Sequence, residues 1–138
     1  MENLEEIRID KKGMDVFHER ILKGERLSEE GHFSIAERLF QDILKDDPNN
    51  CRVCNDLACV LWQTKRRREA VSYLKKAIEL DPDYVDAVWN YGQVLNAMDR
   101  GDEAQSLYWE YLRRHPEDED VAKELRLWGA YEESAPNR

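Results

Sequence analysis

Cys51 and Cys54 stand in the order Cys-Arg-Val-Cys. That spacing lets two thiols meet as a redox pair or share a metal ion, and a helix start at this point would favour the thiolate. Other features argue for a structural role. No second such pair and no paired histidines complete a tetrahedral zinc set, and no strand pattern precedes the motif as a thioredoxin-type fold requires. A redox or metal protein using Cys51 and Cys54 therefore stands as the less favoured reading. His18, His32 and His115 are scattered, without a serine or cysteine nucleophile at catalytic spacing, and read as solvated surface residues. Lys65-Arg66-Arg67-Arg68 is a compact basic run that could meet phosphate, but without interleaved aromatics it reads as a solvated turn. No catalytic residue, cofactor or metal is implied, and the chain is not expected to be an enzyme.

The charge balance narrows the partners. Thirty acidic against twenty-one basic residues give a formal charge of −9 over 138 residues, which repels nucleic acid and anionic lipid. No apolar run approaches the roughly 20 residues of a membrane span, and Met-Glu-Asn-Leu-Glu-Glu lacks the basic opening of a secretory signal. Three cysteines crowded between 51 and 59 make a poor disulfide framework, so a reducing, cytoplasmic address is expected.

What would position any of these groups is a repeat. Pro48, Pro82 and Pro116 are 34 residues apart, and the same step links Ala36, Ala70 and Ala104. It also links Gly24, Ala58 and Gly92, then Leu27, Leu61 and Leu95, then Phe40, Leu74 and Tyr108, and finally Ile43, Ala77 and Tyr111. Small residues at Gly24, Ala58 and Gly92 allow the first helix of a pair to approach the second. Ala36, Phe40 and Ile43 fall at i, i+4 and i+7, one buried helical face, as do Ala70, Leu74 and Ala77. Each proline lacks a donor and biases its predecessor away from helical geometry, which ends the second helix. Every unit thus reads helix, turn, helix, stop. Val121, Leu125 and Trp128 mark one further amphipathic helix, with Glu117 to Asp120 enriching its first turn.

The 34-residue columns, best seen in Glu69-Ala70-Val71-Ser72-Tyr73-Leu74-Lys75-Lys76-Ala77-Ile78-Glu79-Leu80-Asp81-Pro82, resemble the tetratricopeptide repeat family. The resemblance covers 17–50, 51–84 and 85–118. It implies an all-α, right-handed α-solenoid of three helix-turn-helix units, with a charged extension over 1–16, partly helical, a capping helix over 119–133 and a disordered tail over 134–138. Departures are Arg20, Cys54 and Val88 where the family favours an aromatic, and Lys65 and Asp99 where it favours the glycine found at Gly31.

The family receives a peptide or partner helix in a concave groove lined by the first helices. Carried over by position, that lining is His18, Ile21, Glu25, Ser28 and Glu29, then Arg52, Asn55, Cys59, Trp62 and Gln63, then Asp86, Trp89, Gln93, Asn96 and Ala97. Trp62 and Trp89 would place large rings on a wet face, as binding hot spots do, or else pack against adjacent helices. Trp109 and Trp128 read as packing residues. The family's clamp for a chaperone's C-terminal carboxylate is not kept, since Ile21, Glu25, Asp56, Asp86 and Asn90 stand at its places. The resemblance therefore implies an adaptor or scaffold for a protein or peptide, with a small secretion-type chaperone as the alternative, and neither nucleic acid nor membrane as a partner.

Overall fold

The computed structural model describes residues 16–129. The expected 1–16 extension lies outside them except for Val16, as do residues 130–133 of the expected cap and the 134–138 tail. The described residues form α1 (Val16–Glu29), α2 (Phe33–Asp46), α3 (Cys51–Gln63), α4 (Arg67–Leu80), α5 (Val85–Ala97), α6 (Gly101–Arg114) and α7 (Glu119–Leu127), with no strand among them. The fold class is the expected one, an all-α solenoid of helix-turn-helix repeats.

The repeat shows in where helices stop. Within each pair the turn residue is left-handed, with φ 85° at Gly31, 64° at Lys65 and 58° at Asp99. Each such turn closes the preceding helix with the same two bonds. Lys65 N–H donates to the Trp62 carbonyl at 3.1 Å and Arg66 N–H to Leu61 at 2.8 Å, and the pattern repeats at Gly31 and His32 and at Asp99 and Arg100. The second helices end just before Pro48, Pro82 and Pro116, their last bonds made by Asp47, Asp81 and His115 to Ile43, Ala77 and Tyr111. The next first helix is then restarted by Asn50, whose side chain accepts from Val53 N–H, and in α7 by Asp118, which accepts from Val121 N–H.

The chain divides into two compact units with the junction inside α4, between Tyr73 and Leu74. In the first, α2 packs against both α1 and α3. Ala36, Phe40 and Ile43 are its buried stripe, and a Cβ on Gly24 would lie 2.5 Å from the Phe40 ring, so glycine sets how closely α1 meets α2. In the second, α6 packs on α5 and α7. Tyr108, Tyr111 and Leu112 of α6 join Val88 of α5 and Val121, Ala122 and Leu125 of α7 in one core, flanked by half-buried Trp89, Trp109 and Trp128. Trp109 and Trp128 are the packing residues the sequence suggested.

Candidate functional site

In the first unit, two of the expected partner-facing residues, Arg52 and Glu25, engage one another, and two more, Ile21 and Asn55, are buried. Arg52 of α3 grips Glu25 of α1 through two bonds, Nε to Oε2 at 2.8 Å and Nη2 to Oε1 at 2.6 Å. Burial pushes the Glu25 carboxyl up, but the hydrogen bonds donated by Arg52, the side-chain interaction with Asp56 and the Arg52 charge outweigh it and hold the group below the usual range. Ile21 and Asn55 are 5% and 4% exposed, so neither offers surface to a partner. The reason is local: α1 and α3 are neighbours, and these positions face the seam. Ser28 and Cys59 are half-buried, while His18, Glu29 and Gln63 are exposed. Trp62 is half-buried, with the Arg67 guanidinium 4.7 Å above its ring.

The basic run is spent nearby. Arg66 binds Glu37 at 2.7 and 2.8 Å and Glu69 at 2.9 and 3.0 Å. Cys51 and Cys59 are half-buried and Cys54 is buried, all as thiols. Among the described residues no group of three or more His, Cys, Asp or Glu could hold a metal ion.

The second unit presents a different surface. Asp86, Asn96 and Ala97 are exposed, and Trp89 and Gln93 half-buried. Trp89 stacks on Tyr108 at 6.1 Å, and Tyr108 stacks on Trp128 at 4.8 Å. The Tyr108 hydroxyl donates to the Trp89 carbonyl at 2.8 Å and receives the Gln93 amide at 3.4 Å. Burial raises its pKa strongly. Trp89 is thus anchored from behind and wet in front, a combination of the two roles the sequence set against each other.

In front of Trp89 lies a cleft of about 530 Å³ between α5 and α7, lined by Val85, Asp86, Trp89, Asp118, Asp120, Lys123, Glu124 and Leu127. It brings Asp86 and Trp89 together and leaves Gln93, Asn96 and Ala97 outside its lining. The α7 residues were missed because the groove positions were carried over three units only. One more 34-residue step from Asp86, Trp89 and Gln93 lands on Asp120, Lys123 and Leu127. Behind α5, a smaller cleft of about 370 Å³ involves Val88, Tyr91 and Leu95 and contains none of the expected site residues. At the α6 end, His115 Nε2 lies 2.9 Å from Asp83 Oδ1; hydrogen bonds from His115 and Arg114 hold that carboxyl below its usual range, a structural tie.

A tetratricopeptide repeat family model matches residues 61–126. The uncharacterized protein y4yS of Sinorhizobium fredii is 31% identical over 102 residues, 74% of this chain, and the chain spans 56% of that relative's length. Among solved structures, the first tetratricopeptide domain of Spaghetti (RPAP3) bound to the HSP90 peptide SRMEEVD superposes with a TM-score of 0.69 at 23% identity, covering 78% of this chain and 87% of that one. MamA from Desulfovibrio magneticus gives 0.68 at 16%, covering 75% and 58%. A Thermobaculum terrenum O-GlcNAc transferase gives 0.69 at 19%, covering 80% of this chain and 21% of that one. With the helix order, these likenesses show a tetratricopeptide-like all-α repeat domain of about three helix-turn-helix units plus a capping helix.

Proposed function

We propose that this tetratricopeptide-like domain is a protein–protein interaction adaptor or scaffold, which receives a peptide segment or partner helix on the first helices of its repeats. The observation that carries the reading is the cleft before Trp89: a large ring, anchored by Tyr108, faces an open space of about 530 Å³ beside the exposed chains of Val85 and Leu127. A repeat scaffold of this type is typically non-catalytic, and its surface, not its fold, selects the partner. His18 and Gln63 on the first unit and Asp86, Trp89 and Asn96 on the second are the proposed contacts.

Two features weigh against other uses. A chaperone holding an unfolded client would offer a broad apolar surface, whereas the exposed large apolar side chains among the described residues, Ile35, Leu80, Val85 and Leu127, are spread over four helices. A clamp for an acidic tail such as SRMEEVD would need basic groups, whereas Glu25 is already engaged by Arg52 and Asp86 adds negative charge. Among the described residues no helix is long and apolar enough to cross a membrane. The cytoplasmic address belongs to the same reading, supported by the odd number of cysteines crowded between 51 and 59.

Affinity capture from the native cell extract tests the function. The wild type is run beside a double variant, Gln63→Arg with Asn96→Arg, on exposed first-helix positions, and beside Arg68→Ala as a control. A protein retained by wild type and control but lost from the double variant is the expected result. A protein lost only with Arg68→Ala would move the contact to the basic turn and defeat the reading.

A further inference from the structure

We infer that the α5–α7 cleft takes a basic amphipathic segment of a partner protein, an arginine or lysine side chain lying against Trp89 while a neighbouring aliphatic side chain covers Val85 and Leu127. This rests on the adaptor reading above and names the chemistry of its ligand.

The wall of the cleft carries Asp86, Asp118, Asp120 and Glu124 against the single ammonium of Lys123. Asp118 is already committed, accepting from Val121 N–H at 3.2 Å and from the Tyr111 hydroxyl at 2.9 Å. The remaining three carboxylates still leave the cleft negative. A guanidinium over an indole face gains from the ring quadrupole, and nearby carboxylates strengthen that gain where water is displaced. The tryptophan is preorganised for this, since its ring is stacked on Tyr108 at 6.1 Å and its carbonyl is held by the Tyr108 hydroxyl. Leu127 is 78% and Val85 37% exposed, which supplies apolar contact on either side of the charged centre.

Charge selects among possible occupants. The chain's own segments outside the described residues are poor candidates: 1–15 carries Glu2, Glu5, Glu6, Asp10 and Asp15 against Arg8, Lys11 and Lys12, and 130–138 carries Glu132 and Glu133 against Arg138. A second copy brings a net charge of −9. A separate, basic partner is the occupant that the electrostatics favour.

Two short synthetic helical peptides provide the test, sharing leucines at i and i+4 and differing only in whether the flanking positions are arginine or glutamate. Binding to the full chain is followed by titration calorimetry and by amide and indole NMR shifts. The arginine peptide is expected to bind, to shift the Trp89 indole and the Val85, Asp86, Lys123 and Leu127 amides, and to weaken as salt is raised; the glutamate peptide is expected not to bind. The triple variant Asp86→Asn, Asp120→Asn, Glu124→Gln should weaken the arginine peptide about tenfold or more. Should that variant not fold, Asp86→Asn and Asp120→Asn, both at exposed positions, are expected to weaken it about threefold each. Equal binding of the two peptides at these resonances, or affinity unmoved by the neutralising variants, overturns the basic ligand and leaves the adaptor surface standing. Shifts confined to residues away from the first helices and α7 overturn both. Absence of binding by the arginine peptide overturns the basic ligand alone, the adaptor reading being decided by the extract capture.

Discussion

The two compact units build the same helix-turn-helix plan with opposite chemistry. Around α1, α2 and α3 the space opposite Gly24 is filled by the hydrocarbon ring of Phe40, and the polar positions on the outer helices pair with each other, Arg52 with Glu25. Around α5, α6 and α7 the space opposite Gly92 is filled by Tyr108, held between Trp89 and Trp128 and fixed through its hydroxyl. The repeat column specifies volume, and the polar atom added at Tyr108 is tolerated because a backbone carbonyl is within reach. The consequence reaches function. Where Arg52 holds Glu25 and Ile21 and Asn55 are buried, fewer first-helix side chains are left for a ligand, His18 and Gln63 among them; where an aromatic stack backs Trp89, Asp86 and the cleft stay open.

The largest effect that could break this comparison is overpacking at the two glycines. A Cβ at position 92 would lie 2.1 Å from Tyr108 Cε1, against 2.5 Å from Phe40 Cε1 at position 24. Tyr108 stacks with two tryptophans and is bonded through its hydroxyl, so Gly92→Ala is expected to cost about 3 kcal/mol and Gly24→Ala, whose opposing ring carries no polar tether, about 1 to 2 kcal/mol. Chemical denaturation of the two variants measures this. Equal losses would show that the aromatic stack adds no rigidity.

Next in size are the ties themselves. Arg52→Ala leaves the Glu25 carboxylate without its bidentate partner and should cost about 1 to 2 kcal/mol, an effect that shrinks in high salt. Tyr108→Phe removes the hydroxyl's bond to the Trp89 carbonyl and the longer one from Gln93, and should cost about 1 kcal/mol, unchanged by salt. Denaturation at low and high ionic strength separates the two.

The sequence made the small and large columns legible through a 34-residue period, but not which large residue stands opposite each glycine, Phe40 at Gly24 and Tyr108 at Gly92. It did not reveal the Arg52–Glu25 grip, which joins residues 27 apart on separate helices and depends on side-chain rotamers. Trp89 resisted a single assignment for the same reason: periodicity gives a residue's face, whereas its anchoring depends on Tyr108 from another helix. The α7 wall of the cleft was readable by one further step of the period, from Asp86, Trp89 and Gln93 to Asp120, Lys123 and Leu127, but the groove columns were carried over three units only.

Acid should act on both units, through Glu25 in the first and Asp83 in the second, whereas alkali should act on the second through Tyr111. Glu25 is held below its usual 4.5, so its contribution is in place above that pH and drains away as the pH falls through the lower folded value. Tyr111 is pushed from 10.0 up to about 12 by burial and by its bond to Asp118, so its contribution is intact below pH 10 and is lost as the pH rises towards 12. The α6–α7 core is expected to loosen in alkali before α1 and α3 do, read from tyrosine ionisation against the loss of helical circular dichroism. The reverse order would mean that Tyr111 does not control its unit.

The smallest effect concerns a feature both units share, the left-handed turn between paired helices. Gly31, Lys65 and Asp99 occupy it with φ of 85°, 64° and 58°, and each passes the same two bonds back to the preceding helix. A residue with a Cβ pays roughly 1 to 2 kcal/mol to enter this region, less for aspartate, whose short polar chain is better tolerated there. Glycine avoids that strain but carries about 0.5 to 1 kcal/mol of extra unfolded-state entropy. Lys65→Gly, in the first unit, should therefore stabilise by about 0.5 to 1 kcal/mol, and Asp99→Gly, in the second, by less than about 0.5 kcal/mol, both read from denaturation midpoints at unchanged slope. Both side chains are exposed, so no lost packing competes with the gain. If Lys65→Gly instead destabilises, its turn is doing something the turn at Gly31 does not, and the difference between the units extends from side chains into the backbone.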